Sequence, residues 1–327
     1  MFDVKKFWYQ DRIPLWPLYP FSLLYSLAIQ LIRNLYLWGI LRSEKCPVPV
    51  VVVGNITAGG TGKTPLVIHL VNLLRQYGMN PGVISRGYKG RHTVPTIVQQ
   101  NSDPIIVGDE ALLLVQRLNC PMVVAQNRVL GIKKLLQSFS VDVVISDDGL
   151  QHYPLHRDIE IAVIDGARRF GNRVCLPVGP LREPVSRLAS VHLVVVNGTN
   201  VQSNEYQMIY EPRCLYQINQ PSQQKSLESL RGQTIHAVAG IGNTDRFFEL
   251  LKAYGLSVIP HAYPDHYLYQ ANDILFPDDH AVIMTEKDAV KCAYFVDQRH
   301  WALSIDANVS PIFDVKFLDL LKGVKHG

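Results

Sequence analysis

Residues 51–66 read VVVGNITAGGTGKTPL: a β-branched run, a turn with glycines at 59, 60 and 62, the triplet Gly62-Lys63-Thr64, and a helix-forming stretch. This order constrains the fold more than any other segment. A continuous β-branched run is what a strand buried on both faces shows. The glycines let backbone N–H groups of the loop converge on phosphate oxygens, and the helix that follows offers its positive N-terminal dipole to the same anion. A strict phosphate-loop pattern has glycine five positions before Gly62, and Thr57 stands there instead. The physics does not depend on that first glycine. Thr57, Gly59, Gly60, Thr61, Gly62, Lys63 and Thr64 are therefore read as the nucleotide-phosphate cradle. In it Lys63 reaches the β- and γ-phosphates and Thr64 holds Mg²⁺. Pro65 is tolerated because N–H groups of a first helical turn have no intrahelical partner. The competing reading is a glycine turn with an incidental lysine; it leaves the strand–loop–helix order unexplained.

Such a loop calls for an acidic strand end to complete a metal shell. Val141–Gly149, VDVVISDDG, supplies a second buried strand ending in Asp147 and Asp148. Ligands of open α/β sheets lie at the carboxyl ends of strands, so both features are expected to face one crevice. Beyond them strand and helix alternate. Strands are expected at 48–53, 82–85, 96–98, 121–125, 141–146, 159–164 and 192–196, and helices at 65–77, 109–118 and 128–139. This is the rhythm of a parallel sheet with helices on both faces. An Asn-, Gln- and Ser-rich stretch follows, with short alternating runs at 206–210 and 214–218 that suggest a two-stranded linker. The α/β rhythm then resumes with a strand at 235–239, a helix at 244–254 and a strand at 281–284. The expected fold class is thus α/β, a P-loop NTPase-type parallel sheet plus a smaller second α/β domain and an apolar N-terminal helix. The partition is 1–45 as an apolar N-terminal region, 46–205 as the core domain, 206–230 as linker and 231–327 as the C-terminal domain.

Composition narrows the partners. A net charge of +4 among 327 residues is too mild for a dedicated nucleic-acid binder but suits an anionic substrate or surface. The five cysteines are odd in number, widely spaced and without a C-x-x-C pair, which argues against a disulfide framework or zinc site. The N-terminal stretch IPLWPLYPFSLLYSLAIQLIRNLYLWGIL, residues 13–41, invites a spanning-helix reading and fails it. Pro14, Pro17 and Pro20 break its first part, and Phe21–Ile32 offers only 12 clean apolar residues, against the ~20 a span needs. Asp3 and Asp11, with no small-residue cleavage site, exclude a secretory leader. What remains is a helix from about Phe21 to Leu41. Trp8, Trp16, Tyr19, Tyr25, Tyr36 and Trp38 crowd it, with Arg33, Arg42 and Lys45 close by. Aromatic and basic residues beside an apolar face suit an in-plane membrane helix; a helix packed against the core is the alternative.

A kinase also needs a base for the acceptor hydroxyl. Asp109 in GDE opens a helix, where it would also serve as an ordinary N-cap. His266 in YPDHY lies far off in the sequence. Arginines after strands, in SRGY and QNR, suit phosphate. Together GNITAGGTGKTP, SRGY, GDE, QNR, SDDGLQH, GPLREP, the DH of YPDHY and TEKDAVK, in that order from residue 54 to 291, resemble the tetraacyldisaccharide 4′-kinase family. The resemblance accounts for Thr57, which the family also carries. It implies transfer of the γ-phosphate of ATP to the 4′-hydroxyl of an acylated glucosamine disaccharide 1-phosphate, with Mg²⁺. It further implies a peripheral place on the cytoplasmic face of a bacterial inner membrane, with no obligate protein partner. Carried onto this sequence, it makes Asp109 the base paired with His266 and leaves Lys63 and Thr64 their phosphate-loop roles. It sets Asp147 and Asp148 around Mg²⁺, with Gln151 nearby, and lines the nucleotide and substrate cleft with Arg128 and Glu183. The rival from another class is a membrane-associated nucleotide switch. It calls for a base-specificity motif such as Asn-Lys-x-Asp, which the sequence lacks. A soluble small-metabolite kinase would leave residues 13–41 unexplained.

Overall fold

The computed structural model describes residues 7–9 and 16–324. Asp3, Asp11 and Pro14 of the N-terminal reading lie outside the described residues, as do the chain ends of the first and last expected domains. Thirteen strands form one sheet: β1 Val50–Gly54, β2 Pro81–Ser85, β3 Thr96–Ile97, β4 Met122–Val124, β5 Val143–Asp147, β6 Ile159–Asp165, β7 Leu193–Asn197, β8 Tyr206–Gln217, β9 Gln224–Lys225, β10 Thr234–Ala239, β11 Ser257–Ala262, β12 Ala281–Thr285 and β13 His300–Val309. Their order is β11-β10-β12-β13-β8-β7-β6-β1-β5-β2-β4-β3, with β9 paired to β8. The block from β7 to β4 is parallel, as is the block β11-β10-β12-β13; β8 joins them, parallel to β7 and antiparallel to β13.

The helices are α1 Tyr19–Leu37, α2 Lys63–Gln76, α3 Pro104–Val107, α4 Asp109–Leu118, α5 Arg128–Ser138, α6 Thr244–Ala253, α7 Ala271–Ile274, α8 Glu286–Cys292 and α9 Pro311–Gly323. Alternation along each strand splits the core into layers. Val51, Val53, Val143 and Ile145 face Leu66 and Leu70 of α2, Leu114 of α4 and Phe313 and Phe317 of α9. Val50, Val52 and Val144 face Ile132 and Leu135 of α5 on the opposite side. Strands covered on both faces explain the unbroken apolar runs. The α/β class with helices on both faces is therefore the observed one.

One expectation is corrected. The two runs taken for a two-stranded linker are one 12-residue strand, β8. The apparent break falls at Pro212, which has no N–H to give the ladder. The register against β13 shifts there, so that Ser304 faces Cys214 and Ile305 faces Pro212. A β-bulge thus absorbs the proline and carries the strand through. All five cysteines are free. Burial pushes the Cys46 and Cys120 thiols up to about 11 and Cys292 to about 12, which leaves them inert.

The N-terminal helix α1 ends at Leu37 rather than Leu41, because the chain turns through Gly39 at φ 73°, a left-handed conformation that glycine adopts without a Cβ clash. It touches the core along a narrow stripe. Ser22 Oγ accepts from the Val178 N–H at 3.1 Å, Tyr25 donates to the Arg182 carbonyl at 3.2 Å, Arg33 donates to Ser190 Oγ at 2.8 Å, and Tyr36 stacks on Tyr153. Phe21, Leu23, Leu24, Leu27, Leu31 and Leu37 are exposed. Among the described residues no helix is long and apolar enough to cross a membrane.

Candidate active site

β1 lies between β5 and β6, and its register pairs Val53 with Asp147. The strand that launches the glycine loop and the strand that ends in two carboxylates therefore finish side by side, as the sheet rule requires of a ligand crevice. α2 starts at Lys63, and its N-cap Gly62 sits at φ 100°. A Cβ at Gly62 would collide with the Tyr210 hydroxyl and lie 2.6 Å from Asn197 Nδ2, so glycine is required on both counts. Asn55 stiffens the loop from within, donating to the carbonyls of Thr57 at 2.8 Å and Gly59 at 3.3 Å. Thr57 is buried, and its segment is pinned to the GPLREP turn through Ala58 N–H to Pro180 O and Arg182 N–H to Ile56 O, both at 2.7 Å. The residue that breaks the usual loop pattern is thus packed against the turn.

Lys63 Nζ lies 3.3 Å from Asp148 and donates to Asn55 Oδ1 at 3.2 Å. Arg182 bonds the same Asp148 carboxylate at 3.2 Å. Although burial opposes it, these two cations hold the Asp148 carboxyl down at about 2. Asp147 is the opposite case. Burial, with the Glu110 and Asp148 charges nearby, pushes its carboxyl up to about 7, while Lys63 and Arg128 pull the other way. Its Oδ2 accepts from Ser85 Oγ at 3.3 Å, and its Oδ1 has no hydrogen-bond partner among the described residues. Arg128 is buried at the start of α5 and reaches the Asp148 carbonyl at 3.2 Å; burial lowers it to about 10. Gln151 bridges the Asn55 carbonyl at 3.0 Å and Glu183 Oε2 at 2.7 Å. Glu183, 1% exposed, also bonds Tyr153 and pairs with Arg187, so it braces Gln151 from behind rather than lining open space.

The second half of the chain closes over this loop. A Cβ at Gly242 would lie 3.4 Å from the Gly60 nitrogen and 3.7 Å from Asp265 Oδ2, which places the loop after β10 between the phosphate cradle and His266. His266 Nδ1 sits 2.8 and 3.1 Å from the two carboxylate oxygens of Asp109. Two residues 157 positions apart thus form one pair. Asp109 is the first residue of α4 and Gly108 is its N-cap, so the simple capping role does not apply. Burial would raise the Asp109 carboxyl, but the His266 hydrogen bond and the Lys287 charge outweigh it and hold it below its usual value. The charge of Glu110, the next residue, raises the Asp147 carboxyl, so the Asp109–His266 pair stands near the acidic strand end.

The sequence reading gave no role to Asn55, Arg182, Glu110 or Lys287. Arg182 stands inside the quoted GPLREP stretch, one residue before Glu183, and Lys287 stands inside TEKDAVK. Their signal was present as charge, but only the fold shows which carboxylates they meet.

A family described as tetraacyldisaccharide-1-P 4′-kinase matches residues 14–322. A tetraacyldisaccharide 4′-kinase of Coxiella burnetii (strain RSA 331 / Henzerling II) is 48% identical over 326 residues, 99% of this chain and 97% of the relative. One from Nitrosococcus oceani is 47% identical over 320 residues, covering 98% and 94%. A crystal structure of "apo" form LpxK from Aquifex aeolicus in complex with ATP superposes with a TM-score of 0.79 at 28% identity, covering 93% of this chain and 98% of that one. With a match across nearly its whole length and a phosphate loop, acidic strand end and Asp–His pair gathered in one cleft, this chain belongs to the tetraacyldisaccharide 4′-kinase family.

Proposed function

We infer that the protein transfers the γ-phosphate of ATP to the 4′-hydroxyl of a tetraacyldisaccharide 1-phosphate, with Asp109 as the base. The observation that carries the chemical part is the Asp109–His266 pair, linked to the glycine loop by the loop after β10, where a Cβ at Gly242 would lie near both Gly60 and Asp265. A carboxylate held below its usual value by a neighbouring donor stays ionised and ready to take the acceptor proton. In the transfer the 4′-oxygen bonds to the γ-phosphorus, its proton passes to Asp109, and the bond to the β-phosphate oxygen breaks to release ADP. The loop N–H groups and Lys63 stabilise the phosphate oxygens through this step. To do so Lys63 turns from Asp148 towards nucleotide, and Arg182 keeps Asp148 compensated.

The donor set also fits Mg²⁺. Asp147 Oδ1 is a buried carboxylate oxygen without a partner among the described residues, at the end of the strand beside the loop, and hard divalent cations take such oxygens. Asp147 and Thr64 would hold the ion, with Asp148 beside them. When bound, it would neutralise charge on the β- and γ-phosphate oxygens.

An acylated acceptor requires access from a lipid surface. The exposed apolar side of α1, facing away from its narrow contact stripe, supports a peripheral membrane location, which in this family's setting is the cytoplasmic face of the inner membrane. The test is incubation of the purified chain with ATP, Mg²⁺ and a tetraacyldisaccharide 1-phosphate, followed by mass spectrometry of the lipid. A bisphosphorylated lipid supports the reading. ADP released without it would favour the nucleotide switch instead.

A further inference from the structure

The ammonium of Lys287, at the second position of α8, meets three groups. Nζ is 2.9 Å from Glu110 Oε1, 3.2 Å from Asp265 Oδ1 and 3.2 Å from His266 Nε2. An ammonium carries three N–H donors and no lone pair. The ring nitrogen facing it must therefore present its own lone pair, which leaves the proton of a neutral imidazole on Nδ1. That nitrogen faces Asp109 at 2.8 and 3.1 Å. The tautomer of His266 thus follows from what stands on its far side.

Resting on the reading of Asp109 as the base, we propose that Lys287 is a positioning residue for phosphoryl transfer: it fixes His266 in the Nδ1–H tautomer, so that His266 donates to Asp109 and keeps that carboxylate anionic and oriented. The surroundings favour this arrangement from every side. α4 contributes Asp109 and Glu110, and α8 contributes Lys287 and Lys291, the latter paired with Asp288 at 2.8 Å. The His266 loop contributes Asp265, and the loop after β2 contributes Tyr88, edge-on to the ring, and Lys89, whose Nζ reaches the Asp265 carbonyl at 3.4 Å. A second proton on His266 would set Nε2–H against an ammonium, donor against donor and like charge against like. Burial opposes the charge of Lys287, but Glu110, Asp109 and Asp265 outweigh it, so the ammonium persists across the working pH range. Without that ammonium, Nε2 would face only the Asp265 carboxylate, 3.7 Å away. The ring would then sit between carboxylates and take a second proton readily. His266⁺ beside Asp109 makes a weaker base, and turnover would wait on loss of that proton.

The test uses the full chain, ¹⁵N-labelled in histidine, with His266 assigned by difference from His266→Asn. In the parent, imidazole ¹⁵N shifts should report His266 neutral and protonated on Nδ1 through neutral pH. In Lys287→Met they should report imidazolium, with Nδ1–H still facing Asp109. kcat for lipid phosphorylation should fall on the order of 10- to 100-fold. The acid limb of its pH profile should move up by about one unit or more, with the KM for ATP within about twofold. Lys287→Arg, also a donor without a lone pair, should restore the tautomer and part of the rate, which a mere loosening of the fold would not predict. A neutral Nδ1–H His266 in Lys287→Met overturns the proposal. So does a changed protonation state with kcat and acid limb unmoved while Asp109→Asn is inactive. If Asp109→Asn keeps its turnover, the base reading falls and the catalytic part of this proposal with it, while the NMR result still decides the tautomer.

Discussion

Arg117 links the two halves of the sheet, and its loss should be among the most destabilising single changes in the chain. It lies on α4, the helix that opens with Asp109, and its Nη1 meets both oxygens of Glu286, the first residue of α8, at 2.7 and 2.6 Å. It also bonds Ser304 and Asp306 on β13. Only 11% of the Arg117 side chain and 8% of the Glu286 side chain reach solvent. Replacing Arg117 with Met keeps most of the apolar stem but strands a buried carboxylate, a defect worth about 3–5 kcal/mol. Asp306 is half exposed and adds little. In an unfolding equilibrium this is a loss on the order of a hundred- to a few-thousandfold. The cost should also depend on pH. Burial already raises the Glu286 carboxyl against the pull of Arg117, and without Arg117 it rises further. A carboxyl whose folded value is raised loses stability as pH climbs from its unfolded value through its folded one. The variant should therefore fare worse at pH 8 than at pH 5. Urea unfolding of Arg117→Met, Glu286→Leu and the double variant measures this as a cycle. The double variant should recover most of the loss. A cost below about 1 kcal/mol, or a double variant no more stable than Arg117→Met, would show that Arg117 does not compensate a buried Glu286 charge.

Two further expectations concern the metal and the membrane. Asp147→Asn removes a buried carboxylate pushed up to about 7. In chelator-treated protein it should raise Tm relative to the parent, by a difference that is nil near pH 4, grows towards pH 7 and levels off above. The same change should weaken Mg²⁺ binding by calorimetry about tenfold or more. Leu24→Glu with Leu27→Glu places charge on the exposed side of α1, with 63% and 64% of these residues open. Co-sedimentation with anionic vesicles should fall at least about tenfold, since each buried leucine is worth about 2 kcal/mol, while ATP binding stays intact.

The parallel core was legible because its strands are covered on both faces and read as unbroken apolar runs, as at Val50–Val53. The glycine loop was legible because a phosphate cradle needs glycines, lysine and a helix start in fixed order. β11 and β13 were not. β11 is an edge strand, largely open to solvent and interrupted by Pro260, and β13 interleaves Trp301, Asp306 and Asn308 with its apolar residues. Neither shows a clean period. β8 was misread because a bulge at Pro212 looks, in sequence, like an end. In the site, Lys63, Asp109 and Asp147 stood at positions with local meaning: after a glycine, at a helix start, at a strand end. Arg182 and Lys287 stood at none. Their meaning comes from Asp148 and His266, 34 and 21 residues away. Long-range ion pairs leave no local pattern to find.

In the proposed transfer Asp109 takes the acceptor proton while the glycine loop holds ATP. Single-turnover transfer from labelled ATP to the lipid disaccharide, measured for the parent and Asp109→Asn beside ATP affinity, tests it most directly. The amide keeps the shape and still accepts from His266, but it cannot take the proton. Transfer should slow by about 10²- to 10⁴-fold, with the Kd for ATP within about twofold. Transfer at close to the parental rate would show that Asp109 only shapes the start of its helix.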